Sequence, residues 1–247
     1  MRKIVPVLAC CALLAACGGS TTTGPSKTPT LSRTRFLAFG DSLTSGEVTV
    51  PVGVVPEWPG VGGAGQPSTR MILVPAASYP TQLLSMLQAR YAPQAAAVAM
   101  TNAGKPNETA QLGLVRLPTV LAESQPEVLL LMEGVNGLFI AGPDLSADFV
   151  RDMVQLAKSR ARVFVASMLP TIPGRRNSQV VFELEKLNSN LRSMAADEGV
   201  VFIDLYSPML PEAATLIGID GLHPTEAGYR RMADIFFASI QANLEVK

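Results

Sequence analysis

Short apolar runs alternate with helix-like segments along the chain from residue 35 to the C-terminus. Five of these runs predict buried strands, because each spans four to seven residues and ends at polar or turn-forming residues. They cover residues 36–39, 95–101, 128–132, 163–166 and 200–203. No hairpin signal separates them. Strands that alternate with helices form parallel sheets, so the pattern predicts an α/β domain whose five-stranded parallel sheet is covered by helices on both faces.

The segments between the runs carry apolar residues at helical spacing. One predicted helix begins near Ser78, a residue type that caps helix N-termini, and carries Leu87 and Tyr91 on one face. A second helix at 108–124 has an expected interruption at Pro118. The remaining predicted helices cover residues 148–158, 180–198 and 225–244.

The N-terminus has the pattern of an export signal. Arg2 and Lys3 precede a small apolar run at residues 4–16, which is too short to span a bilayer and is typical of a signal peptide. Leu-Ala-Ala-Cys at 14–17 resembles the bacterial lipoprotein box, in which the cysteine is lipidated. This resemblance predicts a signal peptide at 1–16 and an exported lipoprotein, anchored through Cys17 to the cell membrane or outer membrane. An ordinary signal peptide is the alternative.

Residues 17–34 are expected to form a flexible tether, because Gly, Ser, Thr and Pro dominate a stretch too poor in apolar residues to build a core. Residues 35–247 then form the domain. Cleavage before Cys17 removes the other two cysteines, so no disulfide is expected. The chain has 20 basic and 20 acidic side chains. This balance provides no basic surface for nucleic acid, so no nucleic-acid partner is expected. The pattern predicts no particular oligomeric state.

Residues suited to nucleophilic catalysis follow the first predicted strand and precede the last predicted helix. Ser42 comes after a Gly-Asp turn at the end of the first strand, where ligands bind in parallel sheets. His223 is the only histidine in the chain. A serine nucleophile needs a base that titrates near neutral pH, which histidine supplies. We interpret Ser42 as the nucleophile, His223 as the base and Asp220 as the carboxylate that orients the imidazole. Asp204, after the fifth strand, is the competing acid.

Gly-Asp-Ser-Leu at 40–43 and Asp-x-x-His at 220–223 resemble the first and last blocks of the GDSL/SGNH hydrolases, which are serine esterases and lipases. The resemblance extends from about residue 35 to the C-terminus. It implies a three-layer α/β/α fold with flavodoxin-like strand order. It also implies hydrolysis of a small-molecule ester through an acyl-enzyme, with no cofactor and no metal.

The same resemblance assigns the oxyanion hole to the backbone N–H groups of Ser42 and Gly104 and to the side-chain amide of Asn136. Two blocks depart from the family pattern. Pro and Asn at 106–107 stand where the family usually has a small residue and glycine, and Gly137 replaces the Asp that normally follows Asn136. Loss of one preorganised donor costs about 100- to 1000-fold in turnover, so a loosely held Asn136 would make a slow enzyme.

Residues 46–77 are predicted to be an insertion after the first block. The stretch holds six glycines and five prolines with apolar residues between them. A loop of this length is usually functional or disordered, and its apolar content argues against disorder. We interpret it as a cap in which Trp58 and residues 71–74 line an acyl pocket. A surface loop that packs its own apolar residues is the alternative.

Other chemistries match the sequence less well. No Gly-x-Ser-x-Gly elbow surrounds Ser42, and a single histidine without spare cysteines does not fit the common zinc sites. No phosphate-binding glycine motif follows a strand. A carboxylate site for a cation at Asp41, Glu133 and Asp220 is an alternative. Two further functions stay open, namely a catalytically weak lipid- or carbohydrate-binding lipoprotein and an acyltransferase.

Overall fold

The computed structural model describes residues 28–54, 67–172 and 178–246. The strands among these residues are β1 (Thr30–Leu31), β2 (Arg35–Gly40), β3 (Glu47–Val54), β4 (Pro67–Leu73), β5 (Ala99–Gly104), β6 (Val128–Met132), β7 (Arg162–Ala166), β8 (Val201–Ile203) and β9 (Glu245–Val246). The helices are α1 (Ser42–Ser45), α2 (Tyr79–Arg90), α3 (Ala110–Ser124), α4 (Leu138–Ala157), α5 (Ser178–Asp197), α6 (Tyr206–Met209), α7 (Ala213–Leu216) and α8 (Glu226–Leu244).

A five-stranded parallel sheet in the order β5-β2-β6-β7-β8 forms the centre of the domain. This order is flavodoxin-like, as the family resemblance implied. Every residue of β6 is buried, because helices cover both faces of the sheet. The α/β fold class and the parallel sheet are therefore confirmed.

The helices form two layers. On one face α2 packs against α8, where the rings of Tyr79 and Phe236 stack with centroids 4.4 Å apart. On the other face α3 packs against α4, and α4 against α5. Right-handed crossovers between parallel strands account for this division. The short strands β1 and β9 pair antiparallel and join the two ends of the described domain.

Three sequence predictions differ from the structure at their boundaries. The second strand begins at Ala99 rather than residue 95, since the preceding alanines have little strand propensity and form turns. The interruption at Pro118 is wrong. Helix α3 continues through this proline, which lies on the exposed face where water can replace the lost hydrogen bond. Helix α4 begins earlier than expected, at Leu138, and breaks at Gly142, whose φ is 75°.

The expectation of a loop at 46–77 is wrong over the described residues, because β3 and β4 form an antiparallel hairpin. The pairing runs from Glu47 opposite Leu73 to Val54 opposite Pro67. Valines at every second position from 48 to 54 are a strand pattern. The proline and glycine between them are typical of loops, which is why the sequence indicated a loop.

The hairpin turns its apolar residues in two directions. Ile72 and Val74 pack against the core, whereas Met71 and Leu73 are 45% and 55% exposed. Trp58 lies outside the described residues. The hypothesis that residues 71–74 line an acyl pocket is therefore not supported for Met71 and Leu73, which face solvent.

Candidate active site

Ser42 lies at the carboxyl end of β2, where it is the first residue of α1. Asp41 caps this helix, since its Oδ1 accepts a hydrogen bond of 2.9 Å from the Leu43 N–H. Gly40 and Gly104 are opposite each other on β2 and β5, and a side chain on either would overlap atoms of α1. The two glycines therefore allow α1 to lie across the strand ends, which leaves Ser42 only 4% exposed.

The loop before α8 brings Asp220 and His223 to Ser42. The Nε2 atom of His223 is 2.9 Å from the Ser42 Oγ, although the two residues are 181 positions apart. The Nδ1 atom is 2.6 Å from Asp220 Oδ2. Asp220 Oδ1 accepts the backbone N–H groups of Leu222 and His223 at 3.1 Å, and Gly221 makes the turn with a φ of 76°. A hydroxyl, an imidazole and a carboxylate thus form one continuous chain of contacts.

Asp220 and Asp204, the two candidates for the acid beside the imidazole, make different contacts. Burial opposes ionisation of Asp220, but hydrogen bonds from the His223 side chain and from its own loop outweigh burial and lower the pKa of Asp220. Asp204 instead accepts hydrogen bonds from the Ser207 hydroxyl at 2.8 Å and the Arg192 guanidinium at 2.7 Å. The structure therefore places Asp220, and not Asp204, against the imidazole.

Two of the donors expected in the oxyanion hole are engaged by groups of the protein. The Gly104 N–H donates to Asn102 Oδ1 at 3.0 Å. The Asn136 amide donates to the Glu108 carbonyl oxygen at 2.9 Å and to Asp41 Oδ2 at 3.2 Å. These contacts use both hydrogens of the Asn136 amide. An oxyanion at this position would have to replace one of these partners.

The two departures from the family blocks have different structural outcomes. Asn107 has a φ of 62°, a left-handed conformation that asparagine tolerates better than most residues, so the second-block loop turns without a glycine. Gly137 ends a short 3₁₀ turn, Val135–Gly137, and faces the hydroxyl of Ser146. That hydroxyl is buried and has no hydrogen-bond partner among the described residues. This chain therefore lacks the support that an acid at position 137 could give to the Asn136 loop.

Three further carboxyl groups are buried, on Asp41, which precedes Ser42, and on Glu108 and Glu133. Glu108 is paired with the guanidinium of Arg116. Burial raises the pKa of Asp41 to about 7. Burial, assisted by the charges of Asp41 and Glu108, raises the pKa of Glu133 well above its usual value. Neither side-chain oxygen of Glu133 has a hydrogen-bond partner among the described residues, so Glu133 is most stable as the neutral acid.

The hairpin also contributes to the site, which the sequence interpretation missed. Thr49 Oγ1 donates to Asp220 Oδ1 at 3.4 Å, and the Tyr229 hydroxyl donates to the Glu47 carbonyl oxygen at 2.7 Å. The Glu47 side chain is 15% exposed, and its Oε2 lies 3.9 Å from His223 Nε2. These contacts join distant segments, so no local spacing could have revealed them. An acid so soon after the first block was the only sequence signal.

Metal-ligand geometry is not found in the part of the chain that the structure describes. No group of three or more His, Cys, Asp or Glu side chains is close enough there to hold a metal ion. Asp41, Glu133 and Asp220 form no such group among the described residues, so the alternative cation site is not assembled there.

Comparison with known families gives a match over most of the chain. Residues 38–231 match the GDSL-like Lipase/Acylhydrolase family. The chain belongs to this family. Its match includes the GDSL block around Ser42 and the loop with Asp220 and His223.

Three individual proteins show how far the likeness goes. GDSL lipase Rv0518 of Mycobacterium tuberculosis is 32% identical over 100 residues, which make up 40% of this chain and 42% of the relative. The match thus spans less than half of that relative. Two solved structures share the fold over 85% of this chain. One is the lipase/acylhydrolase from Enterococcus faecalis, with 22% identity, 97% of its chain covered and a TM-score of 0.63. The other is Est24, a carbohydrate acetylesterase from Sinorhizobium meliloti, with 18% identity, 99% covered and a TM-score of 0.64.

Proposed function

We propose that this GDSL-family protein is a carboxylic ester hydrolase that acts through Ser42, His223 and Asp220. The observation that carries the proposal is the chain of contacts from the Ser42 hydroxyl to His223 at 2.9 Å and from His223 to Asp220 at 2.6 Å. Membership of a lipase and acylhydrolase family supports hydrolysis of an acyl bond.

The geometry suits a two-step acyl transfer. His223 Nε2 takes the Ser42 proton as Oγ attacks the ester carbonyl carbon, and the Asp220 carboxylate stabilises the imidazolium that forms. The imidazolium then protonates the leaving alcohol, and the acyl group remains on Ser42. Water then gives a proton to Nε2 as it attacks the acyl carbon. The bond from that carbon to Ser42 Oγ breaks, Oγ takes the proton back from Nε2, and the carboxylic acid is released. The N–H groups of Ser42 and Gly104 and the Asn136 amide stabilise the oxyanion in both steps, once the last two exchange their present partners.

A fluorophosphonate probe tests the nucleophile, because it phosphonylates only an activated serine. We expect the wild-type protein to be labelled and Ser42→Ala to remain unlabelled while still folded. Labelling that persists in Ser42→Ala would contradict the assignment. A series of p-nitrophenyl esters from acetate to palmitate then measures acyl-chain preference, which separates an esterase from a lipase.

A second candidate is a catalytically weak lipid- or carbohydrate-binding protein on the same fold. The internal hydrogen bonds of Gly104 and Asn136 favour it, because a hole whose donors are occupied stabilises an oxyanion poorly. A folded wild-type protein that neither reacts with the probe nor cleaves any ester in the series would support this candidate.

The proposed location is a membrane surface, to which a lipid on Cys17 would anchor the protein. Residues 1–16 and Cys17 lie outside the described residues, and among those described no helix has the length and apolar content to cross a bilayer. Labelled palmitate should be incorporated into the expressed full-length chain and absent from Cys17→Ser. Equal incorporation into both would contradict the anchor.

A further inference from the structure

The hairpin places a second carboxylate beside the Ser42–His223 pair. Gly46 ends α1 with a φ of 100°, and a side chain at this position would lie 2.6 Å from the Ser78 side chain. Only glycine suits this turn, which leads directly into β3 at Glu47. The Tyr229 hydroxyl then fixes the Glu47 carbonyl oxygen with a hydrogen bond of 2.7 Å. The backbone of Glu47 is therefore held firmly next to the site.

The Glu47 carboxylate has one oxygen whose hydrogen bonding is incomplete. Oε2 is buried and has no hydrogen-bond partner among the described residues. A buried carboxylate oxygen without a partner is costly, so Oε2 is expected to accept a hydrogen bond when the site opens around a bound acyl group. Oε2 lies 3.9 Å from His223 Nε2, which is too far for a direct hydrogen bond. In the acyl-enzyme the Ser42 hydroxyl no longer occupies Nε2, and one water molecule that enters there can bridge the two atoms with ordinary hydrogen bonds after a small movement of the Glu47 side chain.

We infer that Glu47 binds the water that hydrolyses the acyl-enzyme and thereby favours water over an alcohol as the acceptor. The inference rests on the ester hydrolase function proposed above. The atom that Glu47 approaches, His223 Nε2, is the one that takes a proton from the attacking acceptor. A carboxylate beside this atom therefore contacts the acceptor rather than the acyl group.

The number of hydroxyl hydrogens distinguishes the two acceptors. Water donates one hydrogen to His223 Nε2 and the other to Glu47 Oε2. As its oxygen bonds to the acyl carbon, its first proton passes to Nε2, the bond from that carbon to Ser42 Oγ breaks, and Oγ takes the proton back. An alcohol has a single hydroxyl hydrogen, which must go to His223. Glu47 would then be left without a donor, so the alcohol is disfavoured.

Partitioning of the acyl-enzyme between water and an alcohol tests this role, whichever step limits the rate. The full protein is given p-nitrophenyl acetate with increasing methanol, and acetate and methyl acetate are quantified for wild type, Glu47→Gln and Glu47→Ala. We expect the methanolysis-to-hydrolysis ratio to rise about tenfold in Glu47→Ala, the value of one charge-assisted hydrogen bond. The rise in Glu47→Gln should be smaller, because its amide oxygen still accepts. Glu123→Gln makes the same charge change on an exposed side chain and should leave the ratio unchanged.

Two results would overturn the role of Glu47. One is a ratio that stays at the wild-type value in both Glu47 variants. The other is an equal rise in Glu47→Gln and Glu47→Ala, which would indicate an effect of charge on His223. A protein that is not an ester hydrolase would give a different result, because the wild type would then be neither labelled at Ser42 nor able to release p-nitrophenol. Thermal unfolding of each variant checks that the fold is retained, which is expected because the Tyr229 contact uses only the backbone of Glu47.

Discussion

The carboxyl groups of the candidate site form two sets whose surroundings differ. In one set, Asp220 accepts hydrogen bonds from two backbone N–H groups, from Thr49 and from His223, and its pKa is lowered although burial opposes this. In the other set, Glu133 accepts no hydrogen bond from the described residues and its pKa is raised by burial. Depth of burial and the number of hydrogen-bond donors together therefore decide which acid is ionised.

In the proposed mechanism, the two sets of carboxyl groups have separate tasks. An ionised Asp220 can hold the imidazole in the tautomer that accepts a proton from Ser42. A neutral Glu133 fills space beside Asp41 without adding another negative charge close to the developing oxyanion. Asp41, with a pKa raised to about 7, lies between these extremes, because it is buried yet accepts a hydrogen bond from the Leu43 N–H.

The largest expected effect is the loss of kcat when the ionised carboxylate of Asp220 is removed. Asp220→Asn should lower kcat by roughly 10⁴-fold, because an amide no longer selects the productive tautomer of His223. Asp204→Asn is the matched control and should keep activity within a few-fold of wild type. Ester turnover of both variants is the measurement. A greater loss in Asp204→Asn would reverse the assignment of the two acids.

An intermediate effect on kcat is expected at Asn136, whose amide contacts Asp41 and the Glu108 carbonyl oxygen. Asn136→Ala should lower kcat by about 100-fold if its amide leaves Asp41 or Glu108 to stabilise the oxyanion. Steady-state kinetics and thermal unfolding are measured together on the same variant. A lower melting temperature with unchanged kcat would show instead that Asn136 only connects Asp41 with the Glu108 backbone.

The smallest expected effect is on stability, from Glu133→Gln. Asp41 and Glu133 bind their protons more tightly in the folded state than in the unfolded state, so the unfolded chain loses these protons first as pH rises. The free energy of unfolding should therefore fall as pH rises from the unfolded pKa of each group, 3.8 for Asp41 and 4.5 for Glu133, to its raised folded pKa, about 7 for Asp41.

Urea unfolding at pH 4 and pH 8 measures this dependence. Glutamine has nearly the same size and no proton to lose, so the variant should match wild type at pH 4. At pH 8 it should be more stable than wild type, because the wild-type protein has then lost the contribution of the proton that its folded state binds more tightly at Glu133. A variant that is less stable than wild type at pH 8 would show that Glu133 is ionised in the folded protein.

Local pattern was sufficient for most elements of the sheet. Strand β6 has the predicted bounds, because five consecutive apolar residues can be buried on both faces only in the middle of a covered sheet. The hairpin was missed because Pro51 and Gly53 resemble loop residues, whereas the pairing with β4 depends on a partner far along the chain. Pro118 was overinterpreted, since its cost depends on whether water reaches the helix at that point.

The amino-acid order alone decided the α/β class, the residue types of the GDSL blocks and the candidates Ser42, Asp220 and His223, because apolar periodicity and short motifs are properties of neighbouring positions. Folding decided which distant atoms meet. It brought the imidazole within 2.9 Å of the Ser42 hydroxyl, placed Glu47 beside them and gave Asp220 and Glu133 opposite pKa shifts. Hydrogen bonding and solvent exclusion at a buried group depend on every segment packed around it, and no single segment of the chain contains that information.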